Sequence, residues 1–256
     1  MKVALVQVPL FWEDVVQNMD LILKELSTIV EETDLVVLPE MFTSGFTMRP
    51  SKVSIDESHE FFSVLKALSK AKGFAITGSV VIEEDGGFFN RLYFITPSGH
   101  VDSYDKRHLF SLAGEEKVYT PGKDRLIVSY KGWNICPLVC YDVRFAVFSR
   151  NVGCAYDLLL YVASWPDQRI YAWDSLLKAR AIENMTYVVG VNRCGEDENN
   201  NQYTGHSQAL GFLGEYLQAP MVGRMISYVT LDKQAQDKAR DRFGFLADAD
   251  QFTLVN

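Results

Sequence analysis

The hydrophobic residues of this chain form short continuous runs that alternate with amphipathic stretches. The run Lys2–Val8 predicts a buried strand, and apolar positions at helical spacing over 14–32 predict a helix. A second apolar run, Leu35–Leu38, completes this β-α-β unit and ends at Pro39. Runs without alternating polar residues are typical of parallel strands buried on both faces. The pattern therefore predicts that the chain opens as an α/β protein.

The middle of the chain predicts one helix followed by an antiparallel meander. The helix is predicted at 57–72, and the strands are predicted at 74–83, 88–96 and 101–105. Glycine-containing turn sequences at 85–87 and 97–99 separate these strands.

The strand-helix-strand pattern then recurs in the second half. The predicted elements are strand 135–140, helix 146–152, strand 156–161, helix 170–184, strand 187–192, strands 206–211, 215–219 and 224–230, and a polar helix at 232–240. No linker rich in Ser, Gly or Pro divides the halves, so residues 1–256 are predicted to form a single domain. Two similar halves predict a four-layer α-β-β-α sandwich, in which the acidic run 196–201 is a solvated loop that could approach the site.

Composition and charge exclude several functional classes. The formal net charge is −8 and no long basic run occurs, which argues against nucleic acid or an anionic membrane as partner. No run of ~18 apolar residues is present, so we expect no transmembrane helix. The first apolar stretch is short and lacks a signal cleavage site, so we expect a cytoplasmic protein whose four cysteines are reduced.

One cysteine is placed where a buried strand ends. The apolar run Ile135–Val139 stops at Cys140, which predicts a side chain at the sheet edge where α/β folds bind ligands. A thiol there can be a nucleophile if a neighbour takes its proton; an inert buried thiol is the alternative. Cys136 is expected to lie in the core, and Cys154 and Cys194 are expected to be packing residues.

A candidate base and a candidate cation also follow strands. Glu40 comes after Leu35–Leu38, where apolar neighbours would desolvate the carboxylate and suit it to proton transfer. A capping or salt-bridging role is the alternative. Lys106 follows the meander and could stabilise a developing oxyanion. Its alternative is a solvated basic turn shared with Arg107 and His108.

Two other kinds of site are disfavoured. A metal site built from Cys136, Cys140, Cys154 and His206 would match no zinc-ligand spacing. A Cys–His protease would need His108 or His206 as base, and no protease-like sequence surrounds Cys140. We therefore expect no metal and no organic cofactor.

Three motifs together resemble the nitrilase, or carbon–nitrogen hydrolase, superfamily. They are LPEMF with Glu40, YDKRHLF with Lys106 and LVCYDVRF with Cys140, in the order and approximate spacing of that family. The resemblance covers nearly the whole chain and includes LYVASWP at 160–166 and ARAIEN at 179–184. It implies the same four-layer sandwich.

The resemblance also implies roles for individual residues. Glu40 would be the general base, Lys106 the oxyanion stabiliser and Cys140 the nucleophile. A second family glutamate is expected at Glu115, with a one-residue slip to Glu116 as the alternative. The chain has alanine at position 146, where many members have proline, which affects only local rigidity.

Within the superfamily, MFTSGFTM at 41–48 together with YDKRHLF most resembles bacterial omega-amidases. The resemblance implies release of ammonia from the terminal amide of a 2-oxo-dicarboxylate monoamide, such as 2-oxoglutaramate or 2-oxosuccinamate, through a thioester. A backbone N–H near Tyr141 would help to hold the oxyanion, and Trp165 would form a wall of the pocket or simply pack in the core.

The distal carboxylate of such a substrate requires a cation. Arg49, Arg169 and Arg193 are the candidates, and a surface or structural salt bridge is the alternative for each.

Other functions stay open at this point. The chain could be a hydrolase of the same architecture acting on a nitrile, an N-carbamoyl compound or another small amide. A binding protein that has lost catalysis is disfavoured, because Glu40, Lys106 and Cys140 are all present. The resemblance also implies a homodimer or higher homo-oligomer. If Cys140 is activated, iodoacetamide should label it far faster than the other three cysteines.

Overall fold

The computed structural model describes residues 1–254 and contains two six-stranded sheets. The strands are β1 Lys2–Gln7, β2 Leu35–Val37, β3 Ala75–Glu84, β4 Gly87–Ile95, β5 Val101–Asp105, β6 Val128–Tyr130, β7 Trp133–Val139, β8 Leu158–Ala163, β9 Tyr187–Asn192, β10 Gly195–Glu196, β11 Gln202–Tyr203, β12 Gln208–Leu210, β13 Tyr216–Gln218 and β14 Met225–Thr230. The α-helices are α1 Val15–Ser27, α2 Glu60–Lys72, α3 Ala146–Ser149, α4 Ile170–Asn184 and α5 Lys233–Phe243.

Each sheet has a parallel centre and antiparallel edges. The first runs in the order β14-β1-β2-β3-β4-β5 and the second in the order β13-β12-β9-β8-β7-β6. Strands β1, β2 and β3 are mutually parallel, as are β7, β8 and β9. The predicted α-β-β-α sandwich is confirmed, and the parallel strands of each sheet deliver their carboxyl ends to the site.

The first strand shows why the apolar runs have no polar alternation. Val3 and Leu5 point between the two sheets and join one hydrophobic cluster. Ala4 and Val6 point outward and join a second cluster that contains residues of α1 and α2. Successive side chains of a strand face opposite sides, so a strand covered on both sides must be apolar at every position.

Helix α4 covers the outer face of the second sheet. Trp173 and Leu177 are fully buried. Both pack on Gly190 of β9, where an added Cβ would lie 2.5 Å from Leu177 Cδ1 and 2.8 Å from Trp173 Cζ2. The absence of a side chain at Gly190 allows helix α4 to pack closely on strand β9.

Three helices are shorter than predicted, among them α3, which ends at Ser149 instead of residue 152. Helix α1 ends at Ser27 instead of residue 32, and the hydroxyls of Ser27 and Thr28 donate to the Lys24 and Glu25 carbonyls at the helix end. Hydroxyl side chains of this kind compete with the helical backbone pattern. Helix α2 begins at Glu60 instead of residue 57, because His59 caps it by accepting a hydrogen bond from the Phe61 N–H.

Two further features of the second half differ from the predictions. Strand β6 and the hairpin β10–β11 were not predicted; β10 and β11 have two residues each, too few for a periodic pattern. The run 196–201 forms the end of that hairpin, and its residues 198–200 are exposed, in agreement with the predicted solvated loop. Cys154, predicted to pack inside, is exposed on a short turn in which it has a φ of 53°. Cys136 and Cys194 are buried, as predicted.

The carboxyl-terminal region carries exposed aromatic side chains. Phe245 and Phe252 are both exposed, and a homo-oligomer stays a prediction. Within residues 1–254, no helix combines the length and the apolar character needed to cross a bilayer.

Replacing Gly190 by alanine should destabilise the fold. The new methyl group would overlap Trp173 and Leu177, and overpacking of this kind costs about 1–3 kcal/mol of unfolding free energy. Urea denaturation of G190A measures the loss. Ser175→Ala, on the exposed face of the same helix, should leave the midpoint unchanged. An unaltered midpoint for G190A would show that α4 can shift away from the sheet without cost.

Candidate active site

The predicted catalytic side chains converge where strands of both sheets end. Glu40 follows β2, Lys106 follows β5 and Cys140 follows β7 directly. Ser164 comes immediately after β8. In α/β folds, ligands bind beyond the carboxyl ends of parallel strands, and this convergence places the candidate site there.

Lys106 forms a buried ion cluster with two glutamates. Its Nζ lies 3.0 Å from Glu40 Oε1 and 2.9 Å from Glu115 Oε2, and all three side chains have 0% exposure. Glu115 is further fixed by the Phe110 backbone N–H, which donates to Oε2 at 2.5 Å. Glu116 is exposed, so Glu115 is the member of the pair that enters the site.

Two residues that the sequence did not predict complete the cluster. The Asn90 amide donates to Glu40 Oε1 at 2.8 Å and to Glu115 Oε1 at 3.4 Å. The Ser164 backbone N–H donates to Glu40 Oε2 at 2.8 Å. Both carboxylates of Glu40 and Glu115 are therefore fixed by several donors, which removes their rotational freedom before any substrate binds.

Burial and mutual charge shift the pKa values of the cluster. Burial disfavours the Lys106 ammonium, but the Glu115 and Glu40 carboxylates outweigh this effect and raise the pKa of Lys106 above its ordinary value. Burial also raises the pKa of Glu115, against the opposing effect of Lys106. The lysine is therefore a permanent cation within a site that carries two carboxyl groups.

Cys140 sits beside this cluster in an unusual backbone conformation. Its φ is 44°, in the left-handed region that non-glycine residues rarely adopt, and it begins a short 3-10 turn over Cys140–Arg144. The Glu40 carboxylate and the Lys106 ammonium are the charged groups that act on the thiol. A strained residue held by well-ordered neighbours is a common feature of catalytic positions.

The surroundings of Cys140 favour the neutral thiol over the thiolate. Burial, reinforced by the Glu40 carboxylate, raises the pKa of Cys140 well above its ordinary value, and Lys106 offsets this only in part. This direction argues against an unusually fast reaction with iodoacetamide, since the thiolate is the reactive form, and the labelling rate stays a prediction. Cys136, four residues earlier in β7, is a core thiol, and burial raises its pKa to about 12.

A cleft of about 500 Å³ opens above Cys140 and Lys106. Aromatic side chains dominate its walls: Trp12, Phe46, Phe110, Tyr141, Trp165 and Tyr203. Trp165 lines the cleft and is only 3% exposed, so it both forms part of the pocket wall and packs in the core. The volume suits a small organic molecule.

The three candidate arginines have different surroundings. Arg169 lines the cleft and stacks over Phe110 at 5.1 Å, and within residues 1–254 no carboxylate lies within salt-bridge distance of it. Arg49 also lines the cleft, but it already pairs with Glu13 at 2.8 Å and Glu198 at 2.9 Å. Arg169 is therefore the cleft cation best placed to accept an external anion.

Arg193 cannot take that role, contrary to one of the three predictions. It is fully buried outside the cleft wall, and its guanidinium donates to the Leu10 and Glu196 carbonyls at 2.9 Å each. It also stacks over Tyr203 at 4.6 Å, and burial lowers its pKa. The side chain supports the base of the β10–β11 hairpin.

The end of that hairpin, residues 197–201, forms one lip of the cleft. Asp197 is buried and organises this lip by accepting hydrogen bonds from its backbone N–H groups and from the Tyr203 hydroxyl. Glu198 reaches across to Arg49 on the opposite wall. The acidic run is therefore part of the site's rim.

The described part of the chain contains no group of three or more His, Cys, Asp or Glu residues arranged to hold a metal ion. Cys136 and Cys154, two members of the disfavoured zinc set, differ completely in exposure.

Comparisons with known proteins agree with this geometry. The family model described as carbon-nitrogen hydrolase matches residues 2–241. An omega-amidase (YafV) of Yersinia enterocolitica is 41% identical over 259 residues, covering 100% of this chain and 99% of that protein. A 2-oxoglutaramate amidase of Bacillus subtilis is 31% identical over 191 residues, covering 73% of each.

A solved structure has nearly the same fold. It is XC1258 from Xanthomonas campestris, described as a CN-hydrolase superfamily protein with an arsenic adduct in the active site. The TM-score is 0.97 at 40% sequence identity, and the match covers 100% of this chain and 99% of that one.

Cysteine labelling should follow exposure and thiolate content. At pH 7.5 iodoacetamide should alkylate exposed Cys154 first and Cys140 more slowly, because the raised pKa of Cys140 leaves little thiolate. The Cys140 rate should rise as the pH is increased to 9.5, since deprotonation follows the pH upward. Peptide mass spectrometry of a time course measures both rates.

Cys154→Ser provides the control, because it removes the competing thiol without touching the cleft. Its Cys140 rate should equal that of the unaltered protein. Immediate labelling of Cys140 at pH 7.5 would contradict a neutral resting thiol.

Proposed function

We propose that this chain releases ammonia from the terminal amide of a 2-oxo-dicarboxylate monoamide. The chain belongs to the carbon–nitrogen hydrolase family and is a hydrolase of carbon–nitrogen bonds other than peptide bonds. The substrate class is that of 2-oxoglutaramate and 2-oxosuccinamate. The names of the omega-amidase and 2-oxoglutaramate amidase relatives support this choice.

One observation carries the proposal: a buried Lys106, held between Glu40 and Glu115, lies beside the Cys140 thiol on the floor of the cleft. A carboxylate can accept and return a proton within one cycle, a lysine can stabilise an oxyanion, and a thiol can form an acyl intermediate. These are the three chemical parts that hydrolysis of an unactivated amide requires.

In the first half of the reaction, Glu40 takes the thiol proton while Cys140 Sγ forms a bond to the amide carbon. The two events occur together, because the resting thiol does not ionise by itself near neutral pH. The carbonyl electrons move to oxygen, where Lys106 and the Tyr141 backbone N–H stabilise the negative charge. Glu40 then returns its proton to the nitrogen, the C–N bond breaks, and ammonia leaves a thioester.

In the second half, water replaces ammonia. Glu40 removes a proton from the water as its oxygen attacks the thioester carbon, and the same donors hold the second oxyanion. When the intermediate collapses, the C–S bond breaks and sulfur takes the proton back. Glu115 orients the ammonium of Lys106 and, through the shared Asn90 amide, the carboxylate of Glu40.

The substrate's own carboxylate binds to Arg169 at the far side of the cleft. The Arg169 guanidinium lies over the Phe110 ring and has no carboxylate partner within residues 1–254, whereas Arg49 already pairs with two glutamates. Arginine suits a carboxylate because its donors match the two oxygens in a bidentate geometry. The aromatic walls enclose the short carbon chain between the carboxylate and the amide.

Ammonia release tests the reaction and the substrate class. The protein is assayed with 2-oxoglutaramate, glutamine, a simple nitrile and an N-carbamoyl amino acid. We expect rapid release from the oxo-amide alone. Turnover of another compound in its place would keep the chemistry and overturn the substrate class, and silence with all four would contradict the proposal.

Cys140→Ala should abolish that release, by at least about 10³-fold, because no acyl intermediate can form. Cys154→Ala, which removes the exposed thiol, should leave the rate unchanged. Thermal melting of C140A should show an intact fold. Appreciable turnover by C140A would overturn the thioester mechanism.

Arg169→Gln should act on KM. Losing a hydrogen bond to a charged group costs about 1.5–3 kcal/mol, so KM for 2-oxoglutaramate should rise about 10–100-fold with kcat little changed. For butanamide, which lacks the carboxylate, the effect should vanish. Arg242→Gln is the matched control, since Arg242 also stacks over a phenylalanine, Phe243, but lies on the outer helix α5.

Equal loss on both amides in R169Q would show that Arg169 shapes the cleft without reading the carboxylate. A large KM effect in R49Q with none in R169Q would move the anchor to Arg49.

A further inference from the structure

The short 3-10 turn that begins at Cys140 contains a buried carboxylate, that of Asp142. Asp142 is completely buried, and its two oxygens accept four hydrogen bonds. Oδ2 accepts from the Val139 N–H at 2.9 Å and the Tyr104 hydroxyl at 2.8 Å. Oδ1 accepts from the His108 N–H at 3.1 Å and faces His108 Nδ1 at 2.7 Å. A carboxylate offers about four lone-pair sites, so its acceptor capacity is used in full.

These bonds join two segments that the reaction uses. Val139 and Asp142 belong to the end of β7 and the 3-10 turn, whereas His108 comes two residues after Lys106. The Tyr104 hydroxyl, besides donating to Asp142, accepts from the Arg107 backbone N–H at 3.1 Å. The lysine segment and the nucleophile turn are thus tied to one another through Asp142.

The imidazole of His108 is held on a second side by the same turn. It stacks on Phe145 with ring centroids 3.7 Å apart and planes only 6° from parallel. Phe148 meets its edge at 5.1 Å. Asp142 and Phe145 flank the turn's last residues, so the ring is clamped between two side chains of the element it supports.

The turn needs such support because its first residue is strained. Cys140 has a φ of 44°, a strained conformation that a non-glycine residue keeps only when the surrounding structure holds it. Cys140 supplies the proposed nucleophile, and the next residue, Tyr141, supplies the proposed oxyanion donor. A small rotation of this turn would move both groups at once.

We propose that His108 is a positioning residue for the hydrolysis. Through Nδ1 it fixes Asp142, and through Asp142 it fixes the turn, so that the Tyr141 N–H is aimed at the substrate oxygen. His108 does not line the cleft. The inference rests on the proposed amidase function, and goes beyond it by adding a residue outside the Glu-Lys-Cys set.

Two replacements of similar polarity separate the role of Nδ1 from that of the whole ring. The amide nitrogen of His108→Asn can occupy the place of Nδ1, whereas that of His108→Gln reaches the place of Nε2. We expect H108Q to lower kcat about 10–100-fold with KM within about twofold, because a misdirected oxyanion donor loses part of its about 10²–10³-fold effect. H108N should stay within about threefold of the unaltered protein.

His100 offers a matched control. It forms the same kind of pair, with Nε2 3.1 Å from Asp102 Oδ1, but it is exposed on a hairpin. H100Q and H100N should both leave kcat unchanged. If H108Q does not fold, H108A removes the same bond without introducing a longer polar side chain.

A second measurement reads the oxyanion position without turnover. Butanal adds the Cys140 thiol across its carbonyl: an S–C bond forms and the thiol proton passes to the oxygen, which lies where the oxyanion would lie. Its affinity, followed by fluorescence of the cleft tryptophans, should fall at least about tenfold in H108Q and stay unchanged in H108N. Alkylation of Cys140 by iodoacetamide, which creates no oxyanion, should change less than about twofold.

The outcomes are distinct. A lower melting temperature in H108Q, with kcat and butanal affinity unchanged, would make His108 a purely structural staple and overturn the proposal. Equal losses in H108N and H108Q would overturn the assignment to Nδ1. If the unaltered protein releases no ammonia from any amide, the proposed function fails, and the butanal series alone decides the role of His108.

Discussion

The site depends on the burial of one ammonium group between two carboxylates. Lys106 has no exposed atoms in its side chain, and the ions around it are Glu40 and Glu115. Taking charges out of water is costly, and the cost is recovered only when each charge has close partners and its remaining donors and acceptors are satisfied. The Asn90 amide and the Ser164 and Phe110 N–H groups meet that condition here. Because Glu40 follows a strand of one sheet and Ser164 a strand of the other, the Ser164–Glu40 bond links the two sheets at the site.

This arrangement explains why the thiol is neutral at rest. Burial disfavours a thiolate at Cys140, the neighbouring Glu40 carboxylate disfavours it further, and the Lys106 ammonium offsets these effects only in part. In the proposed mechanism, the nucleophile is therefore generated only when an electrophilic carbon is present to receive the electrons. Some other cysteine enzymes rely on a thiolate that is already present before the substrate binds. In the mechanism proposed for this chain, the Glu40 carboxylate removes the thiol proton during the attack.

Much of the fold could be predicted because its strands and helices have long, consistent patterns. Helix 170–184 and strand 187–192 have the predicted bounds, since one is rich in helix formers and the other is a continuous apolar run. The very short strands β6, β10 and β11 could not be predicted from periodicity. Cys154 shows another limit: a cysteine in a tight turn has no pattern that separates exposure from burial.

The site could be predicted only in part, and for identifiable reasons. Glu40, Lys106 and Cys140 each follow a strand, which is visible in the sequence. The choice of Glu115 over Glu116 depends on which side of a 3-10 turn faces Lys106. Ser164 acts through its backbone N–H and Asn90 through cross-strand geometry, so neither role has a sequence signal. Arg193 had the right charge, but its burial beneath the hairpin was not visible in the pattern.

The floor and the rim of the cleft are built with very different strength. The floor is a closed set of buried charges, whereas Glu198, 62% exposed at the side chain, pairs with a half-exposed Arg49 across the opening. Exposed pairs of this kind contribute only about 0–1 kcal/mol and are screened by salt. Substitutions at the rim should therefore cost little stability, whereas substitutions among the buried charges of the floor should cost much more. A fold with this division can acquire new substrates by replacing residues of one short hairpin, and its bond-breaking chemistry is inherited intact.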